Sequence, residues 1–147
     1  MADVQPFAGV FDGKTHVYPI RVYFEDTDAM GVVYHSTYLN FAERARTEMS
    51  RMMGWGHSEG FNKSGEVFAA HKISTHFVQS ACLDDALLVY SSIQTCSAAR
   101  LVFKQEIWRG DQVLTKLNVE LACLGASGKP TRIPATLKET LESYIND

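Results

Sequence analysis

The chain has 147 residues, 46% of them hydrophobic and 21% charged, with a formal net charge of −3. That length suits one domain with its own core. The slightly acidic balance gives no electrostatic case for nucleic acid or an anionic membrane surface, and no apolar run reaches the length of a membrane span.

Residues 1–15 contain Gly, Pro and acid. They lack the basic start and continuous apolar core of a signal peptide, and read as a flexible N-terminal arm ahead of a single domain over 16–147. Three cysteines, Cys82, Cys96 and Cys123, contain no CxxC pair. An odd count without that spacing suggests neither a disulfide framework nor a zinc site, so they read as buried free thiols in a reducing, cytoplasmic setting.

Over 17–25 apolar and polar residues alternate. Ile20, Val22 and Phe24 fall on one face and Arg21, Tyr23 and Glu25 on the other, which predicts a strand. A loop follows over 26–36. Beyond it Tyr38, Phe41, Ala42, Ala45, Met49, Met52 and Met53 recur at helical spacing, while Glu43, Arg44, Arg46, Glu48 and Arg51 fill the opposite side. Ser36 or Thr37 suits the N-cap and Gly54 the stop. The segment 55–65 is Gly-rich and reads as irregular. Four strand-like runs come next, near 67–80, 87–96, 100–109 and 113–124, with Gly110-Asp111 marking a tight hairpin between the last two. In the third run Leu101, Phe103, Gln105 and Ile107 face one way. After a turn at 125–130, Pro134 opens a short helix with Leu137, Leu141 and Ile145 on its buried side. The expected class is α+β: a five-stranded antiparallel sheet wrapped around one long helix, with exposed edges that dimerisation would cover.

The chemistry concentrates in the loop. Glu25, Asp26 and Asp28 form an acidic cluster. No second acidic group completes a divalent-cation site and the EF-hand spacing fails, so no metal is expected. The plain reading of Asp26 is a solvated loop acid making an Asx-turn, and of Glu25 a strand-end charge. Asp28 stands apart because Ala-Met-Gly-Val-Val-Tyr follows it, an apolar setting that desolvates a carboxylate and raises its basicity. His35 precedes the helix, as a packing or capping histidine or as a polar partner for Asp28 or a bound carbonyl. Its backbone N–H lies where a helix start can hold an oxyanion. Gly31 fits an ordinary turn or a close approach of backbone to ligand. Glu43 is an exposed helix charge and a secondary candidate carboxylate. His71 and His76, five apart on a predicted strand, face opposite sides. No GxSxG elbow, GxGxxG or Walker motif is present, and no cofactor is expected.

These residues resemble a known family. Glu-Asp-Thr-Asp at 25–28, Gly-Val-Val-Tyr-His at 31–35, Tyr38 and Glu-Arg-Ala-Arg-Thr-Glu at 43–48 are similar to the Tol-Pal-associated acyl-CoA thioesterases of bacteria, in the 4-hydroxybenzoyl-CoA thioesterase branch of the hotdog superfamily. The likeness covers about 17–140 and returns at 129–134. It implies a hotdog fold, dimers or tetramers with active sites at the dimer interface, and acyl-CoA as substrate. It places the catalytic carboxylate on Asp28, the activity-linked histidine and the carbonyl-polarising N–H on His35, and substrate contacts on Gly31, Val32, Val33, Tyr34 and Tyr38. Two departures stand out. Phe24 takes a place where many members carry a second tyrosine, and Met30 one that is often glycine or small.

The expected reaction is hydrolysis of acyl-CoA to free acid and CoA, with Asp28 as general base or as nucleophile. The alternatives are a hotdog dehydratase, or a non-catalytic acyl-CoA sensor or scaffold.

Overall fold

The computed structural model of the chain describes residues 1–54 and 65–146. The elements are β1 (Val10–Asp12), β2 (Thr15–Arg21), α1 (Thr37–Met52), β3 (Val67–Phe77), β4 (Ala86–Cys96), β5 (Arg100–Arg109), β6 (Gln112–Leu124) and α2 (Ala135–Ser143). The strands form one antiparallel sheet in the order β1-β2-β4-β5-β6-β3. The irregular segment expected over 55–65 lies, but for Gly65, outside the described residues.

Helical spacing turns one face of α1 inward. Tyr38, Phe41, Ala42, Ala45 and Met49 are buried there, against Ile20, Val22, Leu87, Val89, Ile93, Leu101, Phe103 and Ile107 of the sheet side. Each large apolar side chain taken from water into this core contributes about 1.5–3 kcal/mol. Ala42 and Ala45 are fully buried, and their small side chains let the helix come close to the sheet. Arg109 pairs with Gln112 across Gly110-Asp111, where Gly110 takes φ +58°. This is the tight hairpin that the dipeptide predicts.

The sheet has six strands rather than five. Gly13 takes φ +62° and lets the chain reverse, so that Val10–Asp12 pairs with β2 inside the segment expected to be a loose arm. His16 anchors the join. It is fully buried, and its Nε2 lies 2.7 Å from the carbonyl oxygen of Ala8. Phe11 meets the His16 ring edge-on at 5.3 Å and the Tyr144 ring at 5.1 Å.

Three further expectations change. The first predicted strand stops at Arg21, and Phe24–Asp26 forms a 3-10 turn that leaves Phe24 82% exposed instead of facing the core. A β-bulge between Ala70 and Lys72 breaks strict alternation. His71 thus lies 3.8 Å from Glu120, on the outer side where His76 pairs with Lys116. Cys82 is exposed and only Cys123 is fully buried.

β3 is an edge strand. Its register sets Phe68, Ala70, Ile73, Thr75 and Phe77 on the inner face, opposite Cys123, Leu121, Val119, Leu117 and Thr115 of β6. Because α1 leans toward β2 and β4, Ile73 and Phe77 remain exposed in a single chain.

Candidate active site

The loop from β2 to α1 is a short ribbon closed by its own backbone. Thr27 bridges Val33, the Asp28 N–H donates to the Val32 carbonyl at 2.9 Å, and the Gly31 N–H donates to the Asp28 carbonyl at 3.0 Å. Gly31 takes φ +81°, a conformation that favours glycine at this corner. The carboxylates divide the work differently from expectation. Asp26 is 5% exposed, not solvated, and its Oδ2 accepts the Tyr23 N–H at 2.9 Å to close the 3-10 turn. The Asx-type bond belongs to Asp28, whose Oδ1 accepts the Met30 N–H at 2.8 Å. Asp28 itself is half-buried.

The ribbon is docked on the segment 78–85. The Val33 N–H donates to the Ala81 carbonyl at 2.9 Å, and Val32 bridges Cys82. Asp85 holds that segment in shape. Its Oδ2 accepts the Cys82 N–H and the Arg109 guanidinium, both at 2.8 Å. Burial alone would raise its carboxyl, but these two donors outweigh that and hold it below the ordinary carboxylate range. Tyr38, in the first turn of α1, reaches the same segment through its hydroxyl, which accepts the Ala81 N–H.

The start of α1 offers free donors. Ser36 occupies the N-cap position but makes no side-chain cap bond. Among the described residues, the N–H groups of His35 and Ser36 have no backbone acceptor. Both residues are exposed. The His35 ring packs on Tyr34 with centroids 4.4 Å apart and meets Phe77 edge-on at 6.4 Å. A recess of about 290 Å³ opens beside it, walled by Val33, His35, Tyr38, Phe77, Gln79 and Ser80.

Of the residues singled out by sequence, Val33, His35 and Tyr38 therefore meet in one recess. Gly31 and Tyr34 are exposed beside it, and Val32 is half-buried in the ribbon. No hydrogen bond joins Asp28 to His35: Asp28 stands opposite Val32, three residues back along the ribbon. Glu43 is exposed and lines a second cleft further along α1. Phe77, Gln79, Ser80 and Ala81 escaped the sequence reading because nothing local ties them to a loop some forty residues earlier. Among the described residues, no group of three or more His, Cys, Asp or Glu is placed to hold a metal ion, and no helix is long and apolar enough to cross a membrane.

Residues 30–116 match the family model described as the thioesterase superfamily. The chain is 36% identical over 122 residues to an acyl-CoA thioesterase YbgC of Haemophilus influenzae, covering 82% of this chain and 90% of that one. To an acyl-CoA thioester hydrolase YbgC of Escherichia coli it is 35% identical, with the same coverage of both chains. Among solved structures, a probable thioesterase from Bartonella henselae superposes with a TM-score of 0.77 at 34% identity, covering 82% of this chain and 99% of that one.

Proposed function

The chain belongs to the thioesterase superfamily and is an acyl-CoA thioesterase, and we propose that Asp28 and the N-terminal edge of α1 at His35 carry out its hydrolysis of acyl-CoA. The observation that supports this assignment most strongly is the pair of N–H groups at His35 and Ser36 that no backbone acceptor among the described residues claims, at the positive end of a 16-residue helix.

The thioester carbonyl oxygen sits against these donors. As water or a carboxylate attacks the carbonyl carbon, negative charge collects on that oxygen, and the preformed dipoles stabilise it. Each such donor contributes roughly a hundredfold or more in rate. Asp28 has its Oδ1 occupied by Met30, which fixes the orientation of the carboxylate and leaves Oδ2 for the attacking water. The C–S bond then breaks, CoA leaves as a thiol and the acyl group leaves as a carboxylic acid. Tyr38 and Val33 act from below, by holding the helix start and the ribbon against Ala81.

A second copy of the chain completes the site. β3 presents an eleven-residue edge, and Ile73 and Phe77 stay open on its inner face. A long exposed edge with apolar neighbours is a template for pairing. Phe77 contacts the His35 ring, so the pairing surface runs into the recess itself.

Thiol release from acyl-CoA is the direct test. Asp28→Asn keeps the shape and the bond to Met30 but removes the basicity, and turnover falls by roughly a hundredfold or more, with an unchanged circular dichroism spectrum. Near-normal turnover in this variant would remove Asp28 from the mechanism.

A further inference from the structure

Arg46 and Glu43 stand on the wall of a mixed cleft, beside Thr47 and Ser50 on the helix side and facing an apolar sheet side. The cleft holds about 250 Å³ between α1 and strands β3, β5 and β6, and Phe68, Leu101, Phe103 and Leu121 supply much of the rest of its lining. Sequence reading puts Arg46 on the solvated side of the helix. The structure instead turns it toward Gln105, whose side chain is fully buried.

Gln105 is a fixed bracket. Its Nε2 donates to the Ala42 carbonyl at 2.9 Å and to Ser91 Oγ at 2.8 Å, and its Oε1 accepts from Arg46 Nη1 at 2.9 Å. Arg46 forms no ion pair among the described residues, and its one hydrogen bond there is to this neutral amide. Burial pulls the guanidinium down from its ordinary value, and the nearby Glu43 carboxylate only partly opposes that. A guanidinium has five N–H donors, and donors left facing apolar walls carry a desolvation cost.

The placement matches a substrate that enters at the helix start. Residues 39, 43 and 46 recur at the spacing of one helix face, and His35 stands just before its first turn. Arg46 lies roughly 16 Å beyond His35, and Glu43 roughly 12 Å, at the usual rise per residue. An acyl group whose thioester rests at His35 and which runs along this face brings its far half to Arg46 and Glu43.

We propose that Arg46 and Glu43 form a selectivity site for acyl groups with a hydroxyl on their distal half. The hydroxyl donates its proton to the Glu43 carboxylate and accepts from the Arg46 guanidinium. A plain alkyl chain leaves both groups facing methylenes. A distal carboxylate meets the like charge of Glu43. The proposal rests on the acyl-CoA hydrolase reading above, with the thioester at His35.

The experiment compares kcat/KM for ω-hydroxydecanoyl-CoA, decanoyl-CoA and the CoA monoester of decanedioic acid, by thiol release, in the wild type, Arg46→Met and Arg46→Lys. The readout is the ratio within each protein, so a general loss of activity cancels. The wild type favours the hydroxyl substrate over decanoyl-CoA roughly tenfold or more. Arg46→Met loses that preference and Arg46→Lys keeps part of it. Free ω-hydroxydecanoate also inhibits the wild type more tightly than decanoate, a measurement that needs no variant. An unchanged ratio in Arg46→Met overturns the proposal and leaves the hydrolase reading standing. So does a preference for the carboxylate, or a changed oligomeric state in Arg46→Met with the ratio intact, which would make the cleft an interface. No thiol release from any of the three by the wild type overturns both.

Discussion

Tyr38 and Ala81 are joined by a hydrogen bond of 2.9 Å in which the Ala81 N–H donates to the Tyr38 hydroxyl oxygen. The bond ties the first turn of α1 to the segment on which the loop ribbon rests, and both residues are buried. Burial pushes the Tyr38 phenol above its ordinary value, so it stays neutral across the physiological range. Tyr38→Phe preserves the ring contacts with Phe41 and Phe77 but strands a buried N–H. Chemical denaturation shows a loss of about 1–3 kcal/mol. Thiol release falls as well, because the His35 N–H is no longer held in place.

Gly31 tests the ribbon from the other end. At φ +81° a side chain is strained, and a Cβ there meets nothing within 4 Å. Gly31→Ala therefore costs about 1–2 kcal/mol through backbone conformation alone. Relaxing that strain moves the turn that presents Asp28, so kcat falls along with the denaturation midpoint.

His16 makes the fold sensitive to acid. Burial lowers its ring below the ordinary histidine value, while the bond to the Ala8 carbonyl and the charge of Glu48 work in the other direction. With Nε2 bonded to that carbonyl, Nδ1 is buried without a partner among the described residues, and protonating it would place in the core a charge that Glu48 only partly offsets. The unfolded chain takes up this proton near pH ~6.5, whereas the folded chain resists to lower pH. Stability is thus full above ~6.5 and declines as pH falls from there toward the folded-state value. His16→Gln keeps a donor for Ala8 and does not titrate. Thermal melts between about pH 7.5 and 5.5 show a flatter dependence in the variant than in the wild type.

Ile73 reports on the second copy. It is 40% exposed on the inner face of β3. Ile73→Lys costs little in a lone chain but places a charge inside the proposed pairing surface. Sedimentation velocity at micromolar concentration finds the wild type as a dimer or larger and the variant shifted to the monomer. Thiol release falls with the fraction assembled. A variant that stays assembled and fully active would put the interface elsewhere.

Legibility varied with how local the determining forces were. The ends of β5, the Gly110 hairpin and most of the inner face of α1 follow from period and turn chemistry and appear where pattern alone places them; the exception on that face is Met52, which is 41% exposed at the last residue of the helix. The short β1 was hidden because three residues carry no periodic signal, and its hold on the domain comes from His16, its register partner across the turn, and from Tyr144, far along the chain. Arg46 was misplaced for a related reason. Its spacing sets it at the margin of the polar face, and only Gln105, 59 residues away, draws it inward. One hint was available: a glutamine at an inward position of a strand must find a partner. The loop motif marked Asp28 and His35 from sequence. The far wall of the recess, Phe77 to Ser80, belongs to the strand exit and needed the three-dimensional fold.

The two margins of the sheet are unequal, an eleven-residue β3 at one and a three-residue β1 at the other. Two copies that join β3 to β3 about a twofold axis consume the one margin long enough to template growth. What remains outward on each side is the short stub of β1. Association by this route ends at a closed pair and cannot propagate into a fibre.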